Sequence, residues 1–131
     1  PTRRSSDLVA HLLNDRRIPM KNASILVLGV SYKKDIDDLR ESPALDVVEH
    51  LVAAKANVRF HDPHVPQLSV AGRLFKSERL TPALLKRQHC VVVVTDHTAI
   101  DYAAVVRTAP LILDTRNALR GYHGRSNVHF L

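Results

Sequence analysis

Apolar positions along the 131-residue chain fall into two kinds of run that alternate. "ASILVLGV" (23–30), "ANVRFHDP" (56–63), "CVVVVTD" (90–96) and "LILDTR" (111–116) are short, rich in β-branched residues and Leu, and read as strands. The first and third lack any apolar/polar alternation, the pattern of strands covered on both faces. Between the strands the period becomes helical. Leu45, Val47, Val48, Leu51 and Val52 form a stripe behind Ser42 and Pro43, a capping residue followed by proline at the first helical position. "TPALLKRQ" (81–88) repeats that start with Thr81 and Pro82, "DYAAVVRTA" (101–109) reads as another helix, and "NVHFL" (127–131) as a last edge strand. Near the N-terminus Leu8, Leu12 and Leu13 share a helical face, and "RRIP" with Pro19 is expected to end that helix.

Strand, helix and strand within about 40 residues make a βαβ unit. Its repetition predicts an α/β fold, Rossmann-like and doubly wound, with a mostly parallel sheet of four to five strands and flanking helices. Ligands in such folds sit beyond the carboxyl ends of the strands. Four segments map there: 30–42, 61–66, 95–101 and 114–121.

Composition narrows this picture only slightly. A length of 131 residues with 45% hydrophobic content fits one domain with a real core. The net charge of +6 would suit a polyanion, yet the basic residues are scattered among acids and do not interleave with aromatics as a base-stacking surface requires. A small phosphate-bearing ligand fits the charge equally well, and no specific nucleic-acid partner is expected. The single Cys90 excludes an internal disulfide, no apolar run approaches a membrane span, and the default expectation is a cytoplasmic protein.

The opening "PTRRSSDL" is what one reading frame of a sequencing-library adaptor, CCTACACGACGCTCTTCCGATCT, encodes. Residues 1–8 are therefore expected to be non-native read-through, 9–21 the end of a connecting helix with its linker, and 22–131 the domain proper.

The candidate chemistry begins at "GVSYKKDIDDLRES" (29–42), which follows the first strand where a dinucleotide-binding fold would carry G-x-G-x-x-G. Gly29 alone does not permit the close backbone approach to a pyrophosphate that three glycines allow. Lys33, Lys34 and Arg40 offer side-chain cations instead. By charge alone the plainer interpretation is a solvated loop in which Lys33, Lys34, Asp35, Asp37 and Asp38 pair among themselves. "HDPHVP" and "TDHTAID" each set His near Asp, but their spacing matches no zinc pattern, and such histidines are expected at the surface or at strand ends, not as metal ligands. Cys90, opening a Val-rich strand, is expected to be buried, protonated and inert. Arg116 stands at the carboxyl edge, where it either reaches an anion or pairs with Asp114 or Asp96.

"LGVSYKKDIDDLRESPALDVVEHL", "VRFHDPHVP", "VVVVTDHTAIDY" and "LILDTRNAL", in that order and spacing, resemble the C-terminal domain of the UDP-glucose/GDP-mannose dehydrogenase family. The "TDH" block is closer to members acting on UDP-N-acetylhexosamines than to those acting on UDP-glucose. The resemblance implies an NAD-dependent, homo-oligomeric enzyme that oxidises a sugar C6 alcohol to a carboxylate in two steps. An N-terminal domain would hold NAD, and this domain would help bind the UDP-sugar. By motif, Tyr32 and Lys33 match positions contacting the UDP-sugar, Arg116 a substrate-binding arginine, and Arg40 a residue reaching the NAD site. No catalytic residue is carried over, because Cys90 does not match the family's catalytic cysteine. The resemblance thus reverses the plain reading of the charged turn. Two other readings stand beside it: a stand-alone nucleotide-binding or regulatory α/β module without catalysis, and a basic domain touching nucleic acid, for which only weak nonspecific contact is expected.

Overall fold

In the computed structural model, which describes residues 2–131, the strand and helix patterns fold into one parallel sheet with helices on both faces. The strands are β1 (Ser24–Leu28), β2 (Asn57–His61), β3 (Gln67–Val70), β4 (Arg73–Lys76), β5 (Cys90–Val93), β6 (Ile112–Asp114) and β7 (Val128–Phe130). The helices are α1 (Thr2–Asp15), α2 (Pro43–Ala53), α3 (Pro82–Lys86) and α4 (Tyr102–Thr108), with a short 3₁₀ turn at Arg120–Tyr122. The main sheet has five strands in the order β2-β1-β5-β6-β7, every neighbouring pair parallel.

The strand alternation explains why both faces are covered. Ile25 and Val27 of β1 join Cys90 and Val92 of β5 in the core under α1 and α2, while Leu26, Leu28, Val91 and Val93 point the other way, under α3 and α4. All eight are fully buried, so on these two strands only Ser24, at the start of β1, is free to be polar. The expected caps form, Ser42 Oγ accepting from Ala44 N and Thr81 Oγ1 from Leu84 N, and Asp101, read from the sequence as part of the helix, caps α4 by accepting from Ala104 N.

Two details sharpen or change the sequence pattern. Helix α1 stops at Asp15, directly ahead of "RRIP", because Arg17 turns left-handed (φ 61°) and the N–H groups of Arg17 and Ile18 close back on the carbonyls of Asn14 and Leu13. Residues 2–8 of the expected read-through lie within this helix, and residue 1 lies outside the described residues. The second is an antiparallel hairpin, β3–β4, absent from the expected elements. Its two-residue turn is Ala71-Gly72, both at positive φ, the backbone that matches hairpin twist. Leu68 and Phe75 of this hairpin pack into the core on the α2 side.

The order β2-β1-β5 sets the geometry of the carboxyl edge. The chain leaves β1 toward β2 on one side and leaves β5 toward β6 on the other, so the two loops part between β1 and β5. That divergence is where an open α/β sheet ordinarily opens a crevice for its ligand.

Candidate functional site

In this molecule the crevice between β1 and β5 is closed by its own side chains. Gly29 ends β1 with φ +82°, and a Cβ built there would lie 2.6 Å from both Cβ and O of Thr95. The glycine therefore serves contact between the two loops, not approach to a pyrophosphate. Immediately beyond, Thr95 Oγ1 donates to Ser31 O (2.8 Å) and the wholly buried His97 ring fills the gap.

Asp62, directly after β2, organises this plug. Its Oδ2 accepts from Val30 N (2.8 Å), Ser31 N (3.3 Å) and His97 Nε2 (2.8 Å), and its Oδ1 from His64 N (2.8 Å) and Val65 N (3.2 Å). A carboxylate only 4% exposed is tolerable because each oxygen faces N–H donors. The tautomer of His97 follows from its other side. Asp35 N donates to Nδ1 (2.9 Å), so the ring proton is on Nε2, shared between Asp62 Oδ2 and Ser31 Oγ (3.1 Å). Ser31 Oγ in turn donates to Lys33 O (2.7 Å).

Serine, histidine and aspartate together suggest a nucleophile with its base, but the geometry denies it. Ser31 and Asp62 both meet Nε2 and not opposite ring nitrogens, and none of the three is solvent-accessible beyond a few per cent. The expectation that histidines of "HDPHVP" and "TDHTAID" lie at the surface or at strand ends is corrected for His97, which is a core residue. The donor atoms of Asp35, His64 and His97 do lie within 4.8 Å of one another, as a metal site would require. Both His97 nitrogens are engaged, however, and Asp35 spends Oδ1 on Thr98 N (2.7 Å) and Oδ2 on Thr98 Oγ1 (2.6 Å). A cation would find only the His64 ring uncommitted to a hydrogen bond.

The charged turn is therefore organised, not merely solvated. Asp35, left-handed at φ 60°, ties the turn to the β5 loop, and the Thr98 hydroxyl and N–H hold its carboxyl below the usual carboxylate range. Asp38 holds Arg40 through paired bonds, Nε to Oδ1 (3.1 Å) and Nη2 to Oδ2 (2.9 Å), which lower the Asp38 carboxyl to about 2. Of the acids in the turn, Asp38 thus braces Arg40 and Asp35 the neighbouring loop, while among the described residues neither Lys33 nor Lys34 makes the ion pair that charge alone suggests.

The four residues singled out by motif all lie on this edge, in two places. Tyr32 and Arg40 line a shallow cleft of about 500 Å³ with Asp38 and Glu41, and Lys33 sits with Nζ 5.5 Å from the Tyr32 ring centre. Arg116 borders a smaller hollow of about 120 Å³ with Thr115, Pro43, Val47 and Val94. The alternative role for Arg116, pairing with Asp114 or Asp96, is not adopted. Asp114 spends its oxygens on Arg116 N (2.9 Å) and Leu119 N (2.7 Å), and among the described residues neither Lys33 nor Arg116 makes an ion pair. Cys90 is wholly buried, and burial pushes its thiol up to about 12, so it is the inert residue expected. Among the described residues no helix is long and apolar enough to cross a membrane.

Known proteins resemble this chain in sequence and in fold. The family described as UDP-glucose/GDP-mannose dehydrogenase, UDP binding domain, matches residues 26–121. The chain is 29% identical over 125 residues to UDP-glucose 6-dehydrogenase of Rickettsia bellii, covering 87% of this chain and 27% of that protein. It is 27% identical over 112 residues to UDP-N-acetyl-D-mannosamine dehydrogenase of Methanococcus vannielii, covering 79% of this chain and 25% of that one. The solved structure of UDP-D-ManNAc dehydrogenase from Pyrococcus horikoshii superposes with TM-score 0.78 at 25% identity, over 98% of this chain and 30% of its own length. The chain thus spans less than a third of the length of each of these proteins.

Proposed function

Because the chain belongs to the UDP-glucose/GDP-mannose dehydrogenase family and constitutes its UDP-binding domain, we propose that it holds the UDP-sugar of an NAD-dependent 6-dehydrogenase, with Lys33 and Arg116 as phosphate- and sugar-binding cations. The observation that carries this reading is that both cations are exposed in loops at the carboxyl edge of the sheet, Lys33 beside the Tyr32 ring and Arg116 at a hollow it shares with Thr115, with no ion pair among the described residues to neutralise either. They leave β1 and β6, strands two spacings or about 10 Å apart, a separation that one extended diphosphate ligand bridges. With the crevice plugged, there is no backbone cradle for phosphate. Neutralisation falls to side chains projecting above the sheet, and Arg is suited to a bidentate grip. Tyr32, 40% exposed, offers a ring and a hydroxyl beside Lys33.

Arg40 is assigned to the NAD side. Its Nε and Nη2 are occupied by Asp38, which fixes the guanidinium plane, and the side chain is 89% exposed, so Nη1 is open to a cofactor held by another domain. In this reading the chain supplies positioning and charge neutralisation. NAD supplies the hydride acceptor when bound, and covalent chemistry belongs to a cysteine other than the buried Cys90. The substrate is a UDP-N-acetylhexosamine or UDP-glucose, the acting enzyme a homo-oligomer, and residues 1–8 are read-through.

Titration of UDP into the 131-residue chain by calorimetry tests the assignment. Lys33→Ala and Arg116→Ala are each expected to weaken binding by about tenfold, the effect of losing one hydrogen bond to a charged group. Both side chains are exposed and outside the core, so stability should stay within about 0.5 kcal/mol of the parent. Unchanged affinity in both variants would remove these residues from the site. The same chain, mixed with NAD and either class of UDP-sugar, is expected to produce no absorbance at the NADH wavelength; measurable turnover would place the redox chemistry in this domain and defeat the proposed division of labour.

A further inference from the structure

A buried imidazole links both ends of the segment carrying Tyr32 and Lys33. His97 reaches inward with Nε2–H to Asp62 and Ser31 and outward with Nδ1 to the N–H of Asp35. Between these ends lie Ser31, Tyr32, Lys33 and Lys34, and Ser31 Oγ fixes the carbonyl of Lys33 in turn. We propose that His97 is a positioning residue for UDP-sugar binding: a rigid two-ended strut that holds Tyr32 and Lys33 at the carboxyl edge by accepting the Asp35 N–H while anchored on Asp62. This inference rests on the reading of that turn as part of the UDP-sugar site.

The argument for histidine is geometric. The strut needs a donor at one end and an acceptor at the other on one rigid plane, which neutral imidazole provides. Asparagine places its amide near the Nδ1 position and reaches only the turn. Glutamine extends to the Nε2 position and reaches only Asp62. Each end can thus be removed separately. The contacts themselves indicate which end matters for which property. Asp62 is buried and bonds the chain at Val30, Ser31, His64 and Val65, so losing its His97 donor is felt in stability. Asp35 is exposed and carries the left-handed backbone that ends the turn, so losing its acceptor is felt in turn geometry. A second tether exists through Thr98, which binds the Asp35 carboxylate, but it restrains the side chain and not the backbone N–H.

Amide hydrogen exchange at Asp35, followed by NMR on the 131-residue chain, and UDP titration on the same samples test the proposal. His97→Gln is expected to speed exchange at Asp35 and to weaken UDP binding, each by about tenfold, the effect of one lost buried hydrogen bond. His97→Asn is expected to keep Asp35 protected and UDP affinity within about threefold, while melting at a lower temperature than His97→Gln. Thr98→Val, which needs no change in the buried network, is expected to leave Asp35 exchange within about twofold. Faster Asp35 exchange in Thr98→Val would overturn the proposal even if the His97 variants did not fold. So would unchanged Asp35 exchange in His97→Gln, or faster exchange there with unaltered UDP affinity. If the parent chain binds no UDP, the ligand assignment of the turn fails and the link from His97 to UDP-sugar binding falls with it, while the exchange rates still decide whether His97 holds the turn.

Discussion

Gly29→Ala is expected to be the most damaging single-methyl change in the molecule, lowering stability by at least about 3 kcal/mol and Tm on the order of 10 °C. Two costs add. A left-handed backbone at φ +82° is unfavourable for any L residue with a Cβ, and the new methyl would lie 2.6 Å from the Thr95 carbonyl oxygen and 2.8 Å from its nitrogen. Those are backbone atoms. Thr95 N donates to Leu28 O (3.3 Å) and Val94 N to the same carbonyl (2.9 Å), so the neighbour cannot yield without breaking the β1–β5 connection. Gly124→Ala is the control, since a Cβ there meets nothing within 4 Å, and it should be neutral within about 0.5 kcal/mol. Denaturant unfolding of both variants gives the comparison. Equal stability of the two would mean that the loops are not in contact at Gly29.

Asp62→Ala is expected to cost a similar amount for a different reason. Removing the carboxylate strands the N–H groups of Val30 and Ser31, both fully buried, and leaves the Nε2–H of His97 with only Ser31 Oγ. Each buried unsatisfied donor costs about 1–3 kcal/mol, so a total loss above about 3 kcal/mol is expected. Asp62→Asn sharpens the test because it preserves shape. Whichever way its amide turns, one set of N–H donors faces an NH₂ group, so most of the destabilisation should remain. An Asn variant within about 0.5 kcal/mol of the parent would show that the donors do not need two acceptor oxygens. UDP affinity should fall in both, since the base of the Tyr32–Lys33 turn rests on this carboxylate.

"HDP" and "TDH" were visible as polar residues at strand ends, and their spacing was enough to set them on the ligand-binding edge. Their chemistry was not visible, because Asp62 and His97 are 35 residues apart and meet only when β2 and β5 flank β1. A histidine in a polar sequence context reads as surface, yet tertiary structure supplied one donor, Asp35 N, and two acceptors, Asp62 Oδ2 and Ser31 Oγ, and made burial tolerable. The hairpin was missed for a local reason. "QLSVAGRLFK" turns at Ala71-Gly72, which lacks the Asn-Gly or Asp-Gly signal of a two-residue hairpin, and its exposed Leu74 blurs the alternation that marks a half-buried strand.

The run lengths, the Ser42-Pro43 and Thr81-Pro82 starts and the unbroken apolar strands determined by themselves a parallel α/β layer and the four loops at its carboxyl edge. These are properties of neighbours in the chain, where period, capping and burial on both faces act over a few residues. Three things only the tertiary structure decided: that the β1–β5 crevice is filled by Gly29, Thr95 and His97; that Asp35 braces a loop while Asp38 braces Arg40; and that Lys33 and Arg116 stand without ion-pair partners among the described residues. Each depends on which residues from distant segments come within hydrogen-bonding distance. A charged side chain's role follows from what it faces across the fold, and sequence order does not encode that directly.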